Sequence, residues 1–364
     1  MKIAWISFGF WEYSINHAEA LAVDHEVLLV LPAIKEGVLD KTVDPRVSLF
    51  LFPEARLRQP IGQIRRCLAI VNKVREFGPD VVHLQQGHLW FNFALPALRR
   101  YPLVVTIHDP QHHPGDSESR KTPQWVMDLA AKRADRVVVH GKSLVKVARD
   151  EIGLPDHRID VIPHIALGTL EAKPTQAEDD HNVLFFGRIW RYKGLDYLIM
   201  AEPQVSKHIE DVRITIAGQG EDFDRYRQMM INPERFEVYN SWISDDARDQ
   251  LFQKAAVVVL PYVSATQSGV VPVAYSYGKP VVVTDVGALS ETVDHGRTGL
   301  VVPPRNVQAL AEAIITLLRD NQTRRQMGAN GREKMKEEWY PNVIARRTVV
   351  TYGSAIRHRV LDSR

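Results

Sequence analysis

Short β-branched and aliphatic runs recur along the chain, spaced widely enough to hold a helix between them: IAWIS (3–7), EVLLVL (26–31), VSLFLF (47–52), DVVHL (80–84), LVVTI (103–107), RVVVH (136–140) and RIDVI (158–162). Most are continuously apolar rather than alternating. Strands covered on both faces read this way, as in a parallel sheet with helices on each side. Between them, QIRRCLAIVNKVREF (63–77) and PQWVMDLAAKRA (123–134) place apolar residues three and four apart, which predicts helices. After Pro163 a polar stretch, GTLEAKPTQAEDDHN (168–182), interrupts the rhythm. It restarts with VLFFG (183–187), VRITIAG (212–218), RFEVY (235–239), AVVVLP (256–261), PVVVT (280–284) and GLVV (299–302). From about 306 the spacing is helical, with a break at Tyr340-Pro341. The pattern predicts an α/β protein of two successive parallel-sheet domains, with a ligand cleft where the carboxyl ends of the two sets of strands face one another.

Length and composition agree and narrow the function classes. A chain of 364 residues suits two domains, and 45% hydrophobic with 25% charged residues is a soluble globular composition. Lys and Arg total 46 against 44 for Asp and Glu, a net charge of +2, which removes the main warrant for a dedicated nucleic-acid binder. Cys67 is the sole cysteine, so neither an internal disulfide nor a multi-cysteine zinc site can form, and a cytoplasmic compartment is expected. The opening MKIAWISFGFWEYS reads as a first strand rather than a signal peptide. No apolar run approaches the roughly 18 residues of a spanning helix, so any membrane contact is expected to be peripheral. The balanced charge hides one basic segment. Residues 55–77 carry Arg56, Arg58, Arg65, Arg66, Lys73 and Arg75 against the single acid Glu76. A cationic amphipathic face attracts anionic lipid, and ordinary solvated helix charges are the plainer reading.

Three segments carry candidate chemistry. In FFGRIWRYKGLDYLI (185–199) a strand ends at Gly187 and is followed by Arg188, Lys193 and Gly194 before a helix begins. An arginine fork and a lysine point charge at a strand's carboxyl end suit a diphosphate; surface cations flanking a strand are the alternative. In PYVSATQSGVVPVAYSYGKPVVVTDVGALSETV (261–293), Thr266, Gln267, Ser268 and Gly269 lead into a short helix from Val270 that Gly278 stops. Backbone N–H groups gather there and side chains add donors, although a capped helix alone would look the same. In VRITIAGQGEDFDRY (212–226), Gly218-Gln219-Gly220 lacks the third glycine of a dinucleotide fingerprint. Gly220 reads more simply as a turn that lets a ligand or a neighbouring backbone come close.

Taken together, FFGRIWRYKGLDYLI, ITIAGQGED, the VYNSWISDDA turn and the 261–293 run occur in the order and spacing of glycosyltransferase family 4, the retaining GT-B enzymes (glycosyl transferases group 1). The first half is similar in outline through HEVLLVLP (25–32), PDVVHLQ (79–85), PLVVTIHD (102–109), ADRVVVHGKS (134–143) and RIDVIPHI (158–165). The resemblance implies a GT-B architecture of two Rossmann-like domains facing across a cleft. An acceptor-side domain would span 1–165 and a nucleotide-sugar donor domain 166–341, with a last helix, about 342–364, crossing back onto the first domain. It implies a hexosyltransferase working in polysaccharide or glycoconjugate assembly with a UDP- or GDP-sugar, an acceptor glycan or lipid-linked sugar, and no further cofactor or metal.

Carried over by position, Arg188 and Lys193 would hold the diphosphate. Gly187, Gly218 and Gly220 would border it. Ser268, Gly269, Val270 and Val271 would meet the sugar and distal phosphate, Gln267 or Ser268 would take over sugar-hydroxyl contacts, and Trp242 and Ile243 would flank the base. Gly9 would let the first loop approach, and Glu291 matches a glutamate after the next strand, where helix capping is an equal reading. His108 would face the donor sugar, oriented by Asp109, and a strand-end histidine bonded to a backbone carbonyl is its structural alternative. The family's pair of glutamates is missing, since Ala265 and Val273 occupy those positions. That gap motivates one alternative, a glycosyltransferase-like binding protein without turnover. The other is a metal-dependent hydrolase on His108, Asp109, His112 and His113, where Pro110 and Pro114 make the segment a loop without fixed ligand geometry.

Overall fold

The computed structural model describes residues 1–33, 43–110, 123–168, 177–220 and 223–362, and they form two compact units. The first takes in the described residues up to 165 together with those from 340 onward; the second runs from 166 to 339.

In the first unit, β1 (Lys2–Ser7), β2 (Glu26–Pro32), β3 (Val47–Phe52), β4 (Val81–Gln85), β5 (Leu103–Thr106), β6 (Arg136–Val139) and β7 (Ile159–Val161) form one parallel sheet in the order β3-β2-β1-β4-β5-β6-β7. Its connecting helices are α1 (Trp11–Leu21), α2 (Pro60–Phe77), the single turn α3 (Phe91–Ala94), α4 (Gln124–Arg133) and α5 (Lys142–Val147). The second unit repeats the plan. Strands β8 (Asn182–Phe186), β9 (Arg213–Ala217), β10 (Phe236–Tyr239), β11 (Val257–Leu260), β12 (Val281–Thr284) and β13 (Gly299–Val302) pair in parallel in the order β10-β9-β8-β11-β12-β13. Helices α6 (Leu195–Ser206), α7 (Asp224–Arg227), α8 (Asp245–Lys254), α9 (Val270–Ser276), α10 (Val307–Arg319) and α11 (Asn321–Lys334) join and cover them. The last helix, α12 (Pro341–Asp362), returns to the first unit. There Thr348 and Tyr352 are buried and hydrogen-bonded to histidines of α1 and β4.

Both sheets are Rossmann-like, and every apolar run singled out in the sequence is a strand. The central ones are buried throughout, as for Ile3 to Ile6 in β1 and Val257 to Leu260 in β11, because helices cover both faces. The edge strand β3 departs from that expectation. Its Leu49 and Leu51 are exposed, since an edge strand lacks a full helical cover.

Each sheet reverses its strand order once, between β1 and β4 in the first unit and between β8 and β11 in the second. Loops leaving the carboxyl ends of two such strands diverge to opposite faces and leave a crevice, where ligands of open α/β sheets bind.

Candidate functional site

In the second unit the reversal point holds the cationic segment. Strand β8 ends at Phe186, and the backbone passes through Gly187 and Arg188 into a one-turn helix, Arg191–Lys193, that stops at Gly194 with φ 65°. A Cβ at Gly194 would overlap the Pro261 carbonyl oxygen, so the loop lies flat on the segment that leaves β11. The Val263 N–H donates to the Tyr192 carbonyl (2.8 Å) and fastens the two together. Lys193 is thereby brought over the face of Tyr262, its Nζ 3.9 Å from the ring centroid, while Arg188 reaches the Tyr192 hydroxyl (3.4 Å).

Gly218 explains the G-Q-G of the sequence. Its φ is 147°, and a Cβ there would overlap the Gly187 carbonyl; at Gly220 it would overlap Ile189. Gly187 N–H donates to the Ala217 carbonyl (2.9 Å) and Ile189 N–H to the Gln219 carbonyl (3.0 Å). Of the two partners the sequence left open, a ligand or a backbone, the close neighbour here is the backbone of the Arg188 loop.

The 264–269 loop lies alongside. Ser268 is buried, and its hydroxyl accepts from the Val270 N–H (3.3 Å). The Gln267 Oε1 is buried with no hydrogen-bond partner among the described residues. The Ala288 N–H donates to the Thr266 carbonyl (3.2 Å), which draws the segment leading to Glu291 against this loop. Glu291 itself is exposed on a single helical turn, Ser290–Thr292. Val271 is buried within α9. Ala265 and Val273 are also buried and carry no polar side-chain atom. Trp242 projects into solvent, 73% exposed, from the turn between β10 and α8, with Ile243 half-buried beside it.

In the first unit, His108 follows β5, and the structure surrounds it with residues the sequence did not single out. Gly9 leads to Phe10, whose left-handed backbone (φ 53°) is rare for a bulky residue. The Phe10 ring lies flat on the imidazole of His108, centroids 4.0 Å apart and planes at 14°. His140 follows β6 and His164 follows β7, so three neighbouring strands each deliver a histidine to the same end of the sheet. The His140 Nδ1–H donates to the Ile162 carbonyl (2.9 Å), which leaves its Nε2 to accept from the His108 Nδ1–H (3.2 Å). His108 Nε2 is then an acceptor, 2.7 Å from the side-chain amide of Gln85 on β4. Turned so that its NH2 faces the ring, that amide donates to His108 and gives a partner to an otherwise unpartnered buried nitrogen. His108 is therefore fully buried with both ring nitrogens engaged.

Burial holds these imidazoles neutral. It pushes His108 and His17 well below the usual histidine range, His83 and His164 down to about 3, and His140 to about 4. The charge of the half-buried Asp109 opposes the shift at His140 and His164 without reversing it. Of the hydrolytic set, His112 and His113 lie outside the described residues, and among the described residues no three His, Cys, Asp or Glu are placed to hold a metal.

The basic segment needs one correction. Arg66 does not face solvent: it is buried, packed over the rings of Phe8 and Phe52 and hydrogen-bonded to Gln63 and to His88 Nε2 (3.1 Å). Position 66 falls on the same helical stripe as Gln63, Ile70 and Val74, which face the sheet. Lys73 pairs with Glu76 (3.2 Å), and Arg75 donates to the Ala97 carbonyl (2.8 Å). Arg56, Arg58 and Arg65 remain exposed, together with Leu57, Ile61, Ile64 and Leu68, so α2 presents apolar side chains outward as well as inward.

Two Rossmann-like units, one with paired cations at its strand-order reversal, define a glycosyltransferase of the GT-B class. Family models agree: Glycosyltransferase Family 4 matches residues 9–165 and Glycosyl transferases group 1 matches residues 180–320, and the chain belongs to this family. It is 30% identical to an uncharacterized glycosyltransferase of Methanocaldococcus jannaschii over 76% of each chain. In fold it is similar to sucrose-phosphate synthase from Thermosynechococcus elongatus (TM-score 0.77, 20% identity, 98% of this chain and 99% of that one). It is also similar to Anabaena HepE in complex with UDP-glucose (TM-score 0.73, 20% identity, 97% and 100%).

Proposed function

We propose that the protein transfers a sugar from a nucleoside-diphosphate donor to an acceptor hydroxyl, with the anomeric configuration retained, in the assembly of a polysaccharide or glycoconjugate. One observation carries the reading: Arg188, Lys193 and Ser268 converge where β8 and β11 leave their sheet. Breaking the bond between the anomeric carbon and the diphosphate puts negative charge on the departing oxygen. Two fixed cations stabilise that charge more in the transition state than in the bound donor, which is the condition for a rate gain. A departing diphosphate can itself take the acceptor's proton on the same face of the sugar, so no strong protein base is required. The neutral histidines of the first unit suit such a reaction, and we assign His108 a positioning role rather than that of a base. Gln267 offers its unpartnered oxygen to a sugar hydroxyl. Anabaena HepE, solved with UDP-glucose, supports a nucleotide-sugar donor.

Val273 has no side-chain atom that could accept from a ribose hydroxyl. Calorimetric titration should therefore show that a nucleoside diphosphate and its 2′-deoxy counterpart bind within about threefold of each other, because a lost carboxylate contact is the usual source of larger discrimination. A preference above about thirtyfold for the ribose form would show that another group has replaced the carboxylate. No binding of either at millimolar concentration would favour the reading without turnover.

A peripheral membrane contact is also proposed, through Arg56, Arg58 and Arg65 with Ile61, Ile64 and Leu68. Exposed arginines beside exposed aliphatic side chains match an anionic lipid surface. Among the described residues no helix is long and apolar enough to cross a membrane. Co-sedimentation with vesicles containing phosphatidylglycerol is expected at low salt, reduced at least fivefold by Arg58→Glu with Arg65→Glu. Equal recovery with neutral vesicles, or no change in the variant, would remove this contact.

A further inference from the structure

We propose that Tyr262 is a positioning residue for transfer: its ring is the platform that holds the Lys193 ammonium ready for the donor's diphosphate. The proposal rests on the assignment of Lys193 to the diphosphate and adds the part that aims it.

Tyr262 is the second residue after the strand that ends at Leu260, and it is fixed on every side. Its side chain is fully buried. The Thr284 hydroxyl donates to its carbonyl oxygen (2.5 Å), and the next residue's N–H is bonded to Tyr192. Lys193 Nζ stands 3.9 Å from the Tyr262 centroid and 5.4 Å from that of Tyr192, well within the distance at which a ring face attracts a cation. The negative face of the ring orients the ammonium without adding a formal charge of its own. It also removes rotamer freedom from a long side chain before the donor binds, so less ordering is left for the binding step.

The hydroxyl plays the lesser part. It lies 3.4 Å from Ser268 Oγ, too far for a strong bond. Burial raises the phenol to about 12, so it stays neutral and the attraction comes from the ring and not from a phenolate.

The test separates ring from hydroxyl, using nucleoside-diphosphate affinity by calorimetry and donor kinetics of the full chain. Tyr262→Phe should bind within about threefold of the wild type. Tyr262→Leu should bind about tenfold more weakly and raise KM for the donor while lowering kcat. Because a fully buried leucine could upset folding, a second series replaces Tyr262 with phenylalanine carrying successively more ring fluorines. These keep the shape and weaken the negative ring face, so affinity should fall stepwise with fluorine number. A flat series, or an undiminished Tyr262→Leu variant that folds, overturns the proposal. Lys193→Ala tells the two levels apart. If it leaves affinity unchanged, the diphosphate assignment fails. If it weakens binding while the fluorinated series stays flat, only the role of Tyr262 fails.

Discussion

Alanine in place of Lys193 is expected to lower kcat/KM for the sugar donor by about 10²-fold, and alanine in place of Arg188 by a similar factor, with the melting temperature moved by no more than a few degrees. Stability is spared because Arg188 is exposed and Lys193 only half-buried, and neither belongs to the apolar core of the second unit. The loss should appear in kcat as well as KM, since charge on the diphosphate grows as the sugar departs. Lys193→Arg should recover little. A guanidinium has a different shape and cannot place a point charge where the ammonium sits over Tyr262. Steady-state kinetics of the three variants decide the matter. If all three keep wild-type constants, the cations are surface charges and the diphosphate assignment is wrong.

Mild acid is expected to unfold the first unit. His17, His83, His108 and His140 are buried there and His88 and His164 are half-buried, and desolvation lowers the proton affinity of each. In the unfolded chain these imidazoles titrate near 6.5; in the folded unit desolvation holds His83, His88 and His164 down to about 3 and His140 to about 4. Below pH 6.5 the unfolded state therefore takes up protons that the folded state refuses. Stability is complete above about 6.5 and falls continuously until the folded values are reached. Each such group costs about 1.4 kcal/mol per pH unit in that window, so three of them remove on the order of 8 kcal/mol over two units. That is comparable to the whole stability of a typical domain. Scanning calorimetry from pH 7.5 to 4.5 should show one transition dropping by tens of degrees. A profile flat to pH 4.5 would mean that these histidines are not held neutral.

How much of this was legible beforehand varied with the kind of feature. The strands announced themselves because burial on both faces forces unbroken apolar runs. The cations at 188 and 193 stood out because charge directly after such a run is unusual. What escaped was whatever depends on strand neighbours. TIHD, VVVH and VIPH each show a histidine just beyond a strand's end, yet only parallel pairing in the order β5-β6-β7 brings them side by side. That shared ending was the available signal. Arg66 looked like surface charge in a basic stretch, whereas its phase on α2 turns it to the sheet, where the Phe8 and Phe52 rings and His88 receive it. The role of Tyr262 could not be read at all, because it follows from the pairing of β8 with β11 and from the close fit of Gly194 against Pro261.

The central claim is that this chain moves a sugar from a nucleoside diphosphate with retention. It is tested most directly by incubating the full chain with a panel of UDP-, GDP-, ADP- and dTDP-sugars and simple sugar acceptors, then reading the anomeric proton coupling of the first product by NMR. The account predicts that at least one donor is consumed with stoichiometric release of the nucleoside diphosphate. An α-linked donor should give an α-linked product, and Lys193→Ala should slow the reaction about 10²-fold. An inverted anomer, or transfer that persists undiminished in Lys193→Ala, would contradict it.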